Sequence, residues 1–228
     1  MQGWLPCRGL LVKPSGGGKQ ICMLNLALKF WRGCFSRIIL VSPTANLDSG
    51  WEPLERYIRD VLKVPEEEPW KYEEFDERVL EEILDTQKRI VQYQKKHSPP
   101  GTLIHGILLL IDDLGSDKRL MKHSTLLDKL FTQGRHSFCS TILSQQSWMM
   151  SSSTQRSQAT LVMYGEPRSE LDFSKFADEN SALAGSKKNL EKLVKIATSE
   201  KYGFLTIDLL APREKRFLKN FSHYLQVD

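Results

Sequence analysis

A glycine-lysine segment near the N-terminus carries the clearest chemical signal in this chain. Residues 10–20 read LLVKPSGGGKQ, an apolar run followed by three glycines and a lysine. The glycines can adopt the backbone angles that turn successive amide N–H groups toward one anion, and the lysine would add a positive charge at the outer phosphates. We therefore predict a nucleotide-binding loop. Its predicted contacts are Pro14, Ser15, Gly16, Gly17, Gly18, Lys19 and Gln20.

Two positions depart from the usual phosphate-loop pattern of Gly, four residues, Gly, Lys and then Ser or Thr. Lys13 stands where the first glycine is expected, and Gln20 replaces the hydroxyl residue. That hydroxyl normally binds the magnesium ion that bridges the outer phosphates. Gln20 offers an amide oxygen, which Mg²⁺ can accept directly or through a water. Gln20 is thus a predicted metal ligand, and the two departures leave open whether hydrolysis persists.

Two adjacent carboxylates follow the most apolar segment of the chain. Residues 106–113 read GILLLIDD, a pattern typical of a parallel strand that is buried on both faces. Ligands in such folds bind at the carboxyl ends of the strands, so both acids are expected near the glycine-lysine loop. Asp112 would hold Mg²⁺ through water, and Asp113 would orient or polarise the attacking water. The alternative is that one acid only caps the following loop and helix.

Strand-like and helix-like segments alternate along the chain, which predicts an α/β fold with a mostly parallel central sheet. The predicted strands are 9–12, 37–42, 106–113, 140–143, 160–164 and 204–208. The predicted helices are 20–31, 51–61, 73–96, 124–134 (closed by Gly134), 171–200 and 217–225. The apolar face of the helix at 73–96 is predicted to consist of Phe75, Val79, Ile83, Ile90 and Tyr93.

Length and composition favour one domain. A chain of 228 residues with 40% hydrophobic content can bury a sizeable core. We assign residues 1–228 to a single domain, with a core over about 8–210 and a basic C-terminal helix at 211–228. The sequence contains neither a run of about 18 apolar residues nor a leader pattern at its start, so we expect a soluble, intracellular protein without a membrane span. The four cysteines lack zinc-binding spacing and are expected to be reduced.

The net charge is +4 and the isoelectric point is about 8.8, which permits contact with a polyanion. Acidic residues concentrate at 66–82, and lysines and arginines are frequent from Lys187 onward. The basic end could face nucleic acid, although each run could equally be a solvated helix face.

The order of these motifs resembles a known family. The glycine-lysine loop is followed by VSPT at 41–44 with Asp48 and Trp51, by the acid pair, by LFTQGRH at 130–136, and by Gln145 after the next strand. Together they resemble the FtsK-HerA superfamily and, within it, the poxvirus-type genome-packaging ATPases of large DNA viruses. The resemblance extends over about residues 10–164 and reaches toward 208.

The resemblance implies a RecA-like P-loop NTPase, a three-layer sandwich with an additional strand, which would be 140–143, between the loop strand and the acid strand. It further implies ATP and Mg²⁺ as ligands and a homo-oligomeric ring that drives double-stranded DNA, without sequence preference, into a capsid. A capsid or portal protein would be a partner, and the site of action would be viral assembly in the host cytoplasm or the virion.

Roles for single residues also follow from the resemblance. Lys19 would contact the β- and γ-phosphates, Asp112 the metal and Asp113 the attacking water, while Gln145 would sense the γ-phosphate. Arg135 and Arg156 are both candidates for the guanidinium that stabilises charge in the transition state, in the same subunit or across a subunit boundary.

Two other hypotheses remain open at this stage. One is a homologue that binds nucleotide without turnover and serves assembly, as the altered positions 13 and 20 would allow. The other is a DNA-binding scaffold that uses the basic C-terminal part without nucleotide and whose affinity depends on salt.

Overall fold

A computed structural model describes residues 5–99, 102, 104–114 and 124–226. Within these residues, nine strands form one sheet in the order β3-β2-β4-β5-β1-β6-β7-β8-β9. The strands are β1 Arg8–Val12, β2 Arg37–Val41, β3 Lys71–Tyr72, β4 Ile107–Ile111, β5 Cys139–Gln145, β6 Leu161–Tyr164, β7 Leu205–Asp208, β8 Phe217–Lys219 and β9 His223–Leu225. All six predicted strands are present, and β3, β8 and β9 are additional.

The first six strands run parallel, and the last three are antiparallel. β5 lies between β1 and β4, which confirms the predicted position of the additional strand. Because the six strands are parallel, the segments that follow β1, β2, β4 and β5 all lie at one edge of the sheet. The glycine-lysine loop and the acid pair are therefore brought to the same edge.

Helices cover both faces of the sheet, as a three-layer α/β architecture requires. They are α1 Lys19–Asn25, α2 Glu52–Arg56, α3 Glu77–His97, α4 Thr125–Gln133, α5 Ser153–Gln158, α6 Glu170–Asn180 and α7 Lys187–Ala197. Wider π-helical turns extend α1 over Leu26–Phe30 and α2 over Tyr57–Val61. Among the described residues, no helix is both long and apolar enough to cross a membrane.

Two hydrophobic cores lie on opposite faces of the sheet because side chains alternate along each strand. In β1, Leu10 belongs to the core beneath α3, α4, α6 and α7, whereas Leu11 belongs to the core beneath α1 and α2. β4 is buried along its whole length, with Leu109 in the first core and Leu110 in the second. The continuous apolar pattern of the acid strand thus reflects burial on both faces.

The predicted apolar face of α3 was correct only in part, because Phe75 is buried and Ile83 packs against the core but Ile90 and Tyr93 are exposed. The buried side chains are Leu80, Leu84, Gln87 and Val91, whereas Ile90 is 41% and Tyr93 66% exposed. A shift of one residue rotates the face by about 100°. Gln87 accounts for which face of α3 is buried, because its Nε2 donates to the carbonyl oxygens of His105 at 2.6 Å and Ser137 at 3.0 Å. A buried amide with two carbonyl partners fixes the orientation of the helix.

The predicted helix at 217–225 was also wrong, because β8 and β9 form a hairpin that extends the sheet from β7. Phe217 and Phe221 are four residues apart, which suggests one helical face, but they lie in different cores on the two sides of the sheet. Asn220, with a φ of 54°, makes the turn between them. Of the predicted basic helix at 211–228, residues 227 and 228 lie outside the described part of the chain.

The end of α4 differs from the prediction as well. Gly134 has a right-handed φ of −51° and continues the chain into a 3₁₀ turn over Gly134–Ser137. The left-handed residue that ends this turn is Phe138, with a φ of 50°.

A matched pair of substitutions in α3 tests the observed face. Leu84→Ala should lower the free energy of unfolding by about 2 to 3 kcal/mol, because it leaves a cavity under the helix. Ile90→Ala, on the predicted but exposed face, should change it by no more than about 0.5 kcal/mol. Denaturant unfolding of both variants measures the difference, and equal losses would contradict the observed orientation.

Candidate functional site

The glycine-lysine loop connects β1 to α1 and has the geometry of an anion-binding turn. Gly16 and Gly18 have φ values of 71° and 78°, which disfavour residues with a Cβ. Gly18 is the N-cap of α1 and supplies no side chain to cap it. The first N–H groups of a helix lack acceptors within the helix. They can therefore donate to an anion above Lys19, whose side chain lines the cleft described below.

Lys13 is accommodated without distorting the loop. It is not among the described residues with a positive φ, and its amide donates to the carbonyl of Gln145 at 3.0 Å. Its side chain packs on Gly165, where an added Cβ would come within 2.8 Å of the Lys13 Cγ. The ammonium Nζ donates to the Tyr202 carbonyl at 2.8 Å. Burial lowers the pKa of the Lys13 ammonium.

The two carboxylates of the acid pair have different surroundings. Asp112 is largely buried and accepts a hydrogen bond from the Ser144 hydroxyl at 2.7 Å. Burial raises the pKa of Asp112, although the Ser144 bond and the charge of Lys19 oppose that rise. Asp113 has a φ of 48°, and both of its carboxylate oxygens accept from Gln146 Nε2 at 3.1 Å. Both carboxylates line the cleft described below, and each is held by a hydrogen bond from the segment at the end of β5.

Gln20 contacts a third carboxylate at this edge. Its Nε2 donates to Asp48 Oδ2 at 2.9 Å, and Asp48 Oδ1 accepts from the Gly50 amide at 2.8 Å. Asp48 and Asp112 line the same cleft, which is described below. Carboxylate and amide oxygens are the ligands that Mg²⁺ prefers. Asp112, Asp48 and Gln20 all line this cleft and carry oxygens of this type, although the described residues contain no cluster of three or more His, Cys, Asp or Glu side chains arranged to hold a metal ion.

These groups line one cleft of about 890 Å³. One wall is the glycine-lysine loop and α1 as far as Phe30. The other consists of Glu200–Phe204 and Asn220–Ser222. Phe30 and Phe204 each pack against Phe221, with ring centroids 4.7 and 4.9 Å apart. The cleft therefore combines the polar groups of the loop and the acid pair with a cluster of three phenylalanine rings.

Gln145, the predicted phosphate sensor, is turned away from this cleft. It is fully buried, and its Nε2 donates to the Ser151 hydroxyl. Its Oε1 has no hydrogen-bond partner among the described residues. The neighbours Ser144 and Gln146 contact the acid pair instead, because successive side chains of a strand point to opposite faces.

Neither candidate arginine lines the cleft. Arg156 binds both carboxylate oxygens of Glu179, through Nε at 2.8 Å and Nη2 at 3.1 Å. Arg135 is exposed in the turn that precedes β5, whereas the cleft is at the end where β5 stops. The length of this strand separates Arg135 from the acid pair of its own chain. The proposed catalytic roles of both arginines and of Gln145 remain predictions.

Sequence reasoning assigned no chemical role to Ser144, Gln146, Asp48 or Tyr202, although all four contact or line the site. Asp48 gave a usable signal, since it follows β2 in a polar turn at the same edge of the sheet. Ser144 gave none, because every residue of β5 is buried and the sequence does not reveal which face of the strand meets the acids, and Gln146 is an exposed residue directly after the strand.

Solved structures of known proteins share the fold of this chain. The chain resembles the genome-packaging NTPase B204 from Sulfolobus turreted icosahedral virus 2, solved in complex with ATP-gammaS, with a TM-score of 0.60 and 17% identity over 90% of this chain and 93% of that one. B204 from Sulfolobus turreted icosahedral virus, described as a DNA-packaging ATPase, gives a TM-score of 0.61 and 15% identity over the same shares of the two chains.

A more distant likeness is to the pCW3 conjugation coupling protein TcpA with ATPgS, with a TM-score of 0.53 and 14% identity over 87% of this chain and 56% of that one. These likenesses confirm the predicted P-loop NTPase fold. No curated protein shows significant sequence similarity to the chain. The family model described as Poxvirus A32 protein matches residues 5–208. The chain therefore belongs to the poxvirus A32 protein family, as the order of its motifs predicted.

Proposed function

We propose that this chain binds ATP with Mg²⁺ in the cleft and couples ATP hydrolysis to the translocation of double-stranded DNA into a viral capsid. The observation that carries the proposal is the convergence of Lys19, Asp112 and Asp113 on one cleft beside an anion-binding loop. Membership of the poxvirus A32 family and the packaging NTPase B204, solved with ATP-gammaS, support the same function.

Different side chains of the cleft contact the phosphates, the metal and the attacking water. The loop amides and Lys19 bind the phosphates, and Asp112, with Asp48 and the Gln20 oxygen, would hold Mg²⁺. A bound Mg²⁺ neutralises charge on the outer phosphates. Asp113 orients the attacking water. Its carboxylate is held in place by Gln146, which lowers the cost of reorganising the site during the reaction.

The surroundings of the two glutamines favour Gln146 over Gln145 as the residue next to the attacking water. Gln145 is buried behind the acid pair and bonds to Ser151. We assign Gln145 to positioning the segment that contains Ser151. This segment leads into α5, which carries Arg156.

The arginine that stabilises the transition state is proposed to be Arg135, acting on a neighbouring subunit of a ring. Arg156 is held by Glu179, which favours a structural role. Arg135 is exposed and forms no ion pair among the described residues. An exposed guanidinium far from the cleft of its own chain suits a contact in the cleft of an adjacent copy.

DNA contact is proposed to involve phosphates, and therefore to depend on salt and not on sequence. Part of the basic C-terminal region is already neutralised within the chain. Lys187 pairs with Asp178, and Lys219 pairs with Glu200. This internal pairing weakens the hypothesis of a scaffold that binds DNA through this region alone.

The hydrogen bond from Gln20 to Asp48 is compatible with the alternative function, in which the chain binds nucleotide without turnover.

Steady-state turnover tests the proposed function. We expect Mg²⁺-dependent ATP hydrolysis that rises with double-stranded DNA and falls by roughly 100-fold or more in Lys19→Ala, because the variant loses the cation at the outer phosphates. Lys195→Ala, at an exposed lysine of α7, is the matched control and should keep wild-type turnover. Nucleotide binding without turnover would support the degenerate homologue, and DNA binding that ignores ATP would support the scaffold.

The decrease of Mg²⁺-dependent nucleotide affinity at low pH tests whether Asp112 binds the metal. This carboxylate must be ionised to hold Mg²⁺, and its pKa is raised by burial, so Mg²⁺-dependent nucleotide affinity should fall at a higher pH than an ordinary aspartate would give. Ser144→Ala removes the bond that opposes this rise and should move the midpoint to still higher pH.

Ser140→Ala is a matched control on the same strand, since the Ser140 hydroxyl accepts from the Cys7 amide far from the cleft. It should leave the midpoint of the pH profile where it is in the wild type. Identical midpoints in Ser144→Ala and the wild type would argue against Asp112 as the titrating ligand.

A further inference from the structure

Lys13 ties the phosphate loop to a segment almost at the other end of the chain. Its side chain is only 3% exposed. Nζ donates to the Tyr202 carbonyl at 2.8 Å and lies 4.8 Å from the centroid of the Phe204 ring. A buried ammonium held by one carbonyl and one ring face is costly compared with the glycine of the usual pattern. The contacts of the Lys13 ammonium fix the position of residues 200–204, which form one wall of the cleft.

The residue held in this way presents an aromatic ring to the cleft. Tyr202 has a φ of 67°, an uncommon conformation for a residue with a Cβ. Its ring lies over Gly18, where an added Cβ would be 3.2 Å from the Tyr202 Cδ1. The side chain is nevertheless 55% exposed, so part of the ring remains open to the cleft.

Uncommon backbone angles recur around the same cleft. Besides Tyr202, the cleft-lining residues Asp113 and Asn220 have φ values of 48° and 54°. Residues in sparsely populated conformations persist where the surrounding structure enforces them, and they concentrate at ligand sites. Tyr202 lies in the turn closed by the hydrogen bond from the Gly203 amide to the Glu200 carbonyl, and its own carbonyl oxygen accepts from Lys13 Nζ.

The position of the ring indicates which part of a nucleotide it would meet. From the loop, the cleft follows α1 and its extension to Phe30, about 16 Å at 1.5 Å per helical residue. Tyr202 lies against Gly18 at the phosphate loop and lines the same cleft as Phe30 and Phe221. An aromatic face stacks readily on a nucleobase.

We propose that Lys13 is a positioning residue for nucleotide binding, which holds the Tyr202 ring over Gly18 so that the ring contacts the nucleoside part of the bound nucleotide. The inference rests on the proposed nucleotide binding. The proposal explains why a lysine stands at position 13. Lys13 holds the ring that contacts the nucleoside, whereas Lys19 and the loop amides contact the phosphates.

The test is a double-mutant cycle read by equilibrium binding of Mg-ATP and of Mg-tripolyphosphate, which has no nucleoside. Tyr202→Ala and Lys13→Met should each raise the Kd for ATP about tenfold, the effect of losing one good contact, and leave the Kd for tripolyphosphate nearly unchanged. In Tyr202→Ala, adding Lys13→Met should cause little further loss, because Lys13 acts through the ring. Tyr93→Ala, at an exposed tyrosine of α3, is the control.

Folding is followed for every variant by its thermal midpoint. Methionine keeps the volume of lysine without its charge, which limits disruption of the core. Lys13→Gln, whose shorter side chain loses reach to the Tyr202 carbonyl, is a second variant with the same expected loss of ATP affinity.

Three results would overturn the inference while the wild type still binds ATP: unchanged ATP affinity in Tyr202→Ala, fully additive losses in the double variant, or equal losses for ATP and tripolyphosphate. A wild-type protein that binds neither ligand would instead overturn the proposed function itself. The two failures are therefore distinguishable in one set of titrations.

Discussion

The parallel pairing of β4, β5 and β1 determines where the acid pair lies relative to the phosphate loop and to the end of β5. Ile111 is in register with Leu143, and Val12 with Gln145. The residues that follow these pairs therefore meet at one edge, and Asp112 lies beside Ser144. A slip of one residue would turn every side chain of β5 to the opposite face and present Gln145 in place of its neighbours. The hydrogen bonds to Asp112 and Asp113 thus depend on the strand register.

The same edge concentrates groups that are unfavourable for folding. Asp112 is buried with a raised pKa, and Lys13 is buried with a lowered one. Asp113 and Tyr202 have positive φ angles. Such features lower stability and are retained where they pre-organise a site. Their clustering around one cleft, next to two well-packed cores, is the physical basis for assigning function to this edge of the sheet.

The sequence was sufficient for the parts of the fold that are local or strongly patterned. The loop after β1 and the acid strand were predicted because glycines, a lysine and a continuous apolar run each have a direct structural consequence, and the position of the additional central strand followed from the family resemblance. Failures arose where distant contacts override local spacing. The hydrogen bonds of Gln87 determine which face of α3 is buried. Residues 217–225 form strands because β8 pairs with β7, although Phe217 and Phe221 are spaced as in a helix.

The sequence was sufficient to expect the loop and the acids at one edge of the sheet, where they line one cleft, and their chemical roles remain predictions. The faces of β5 could not be told apart because both are buried. The partner of Lys13 lies 189 residues away, so nothing local indicated that a lysine at a glycine position was held by a hydrogen bond. These are tertiary contacts, and they are the ones that distinguish this cleft from a generic phosphate loop.

The most direct test of the account is a crystal structure with Mn²⁺ and a non-hydrolysable ATP analogue, in which anomalous diffraction locates the metal. The account predicts a metal peak beside Asp112 and the Gln20 side chain, with the triphosphate over Lys19 and the nucleoside next to Tyr202. A nucleotide bound elsewhere, or a metal peak remote from Asp112, would contradict it.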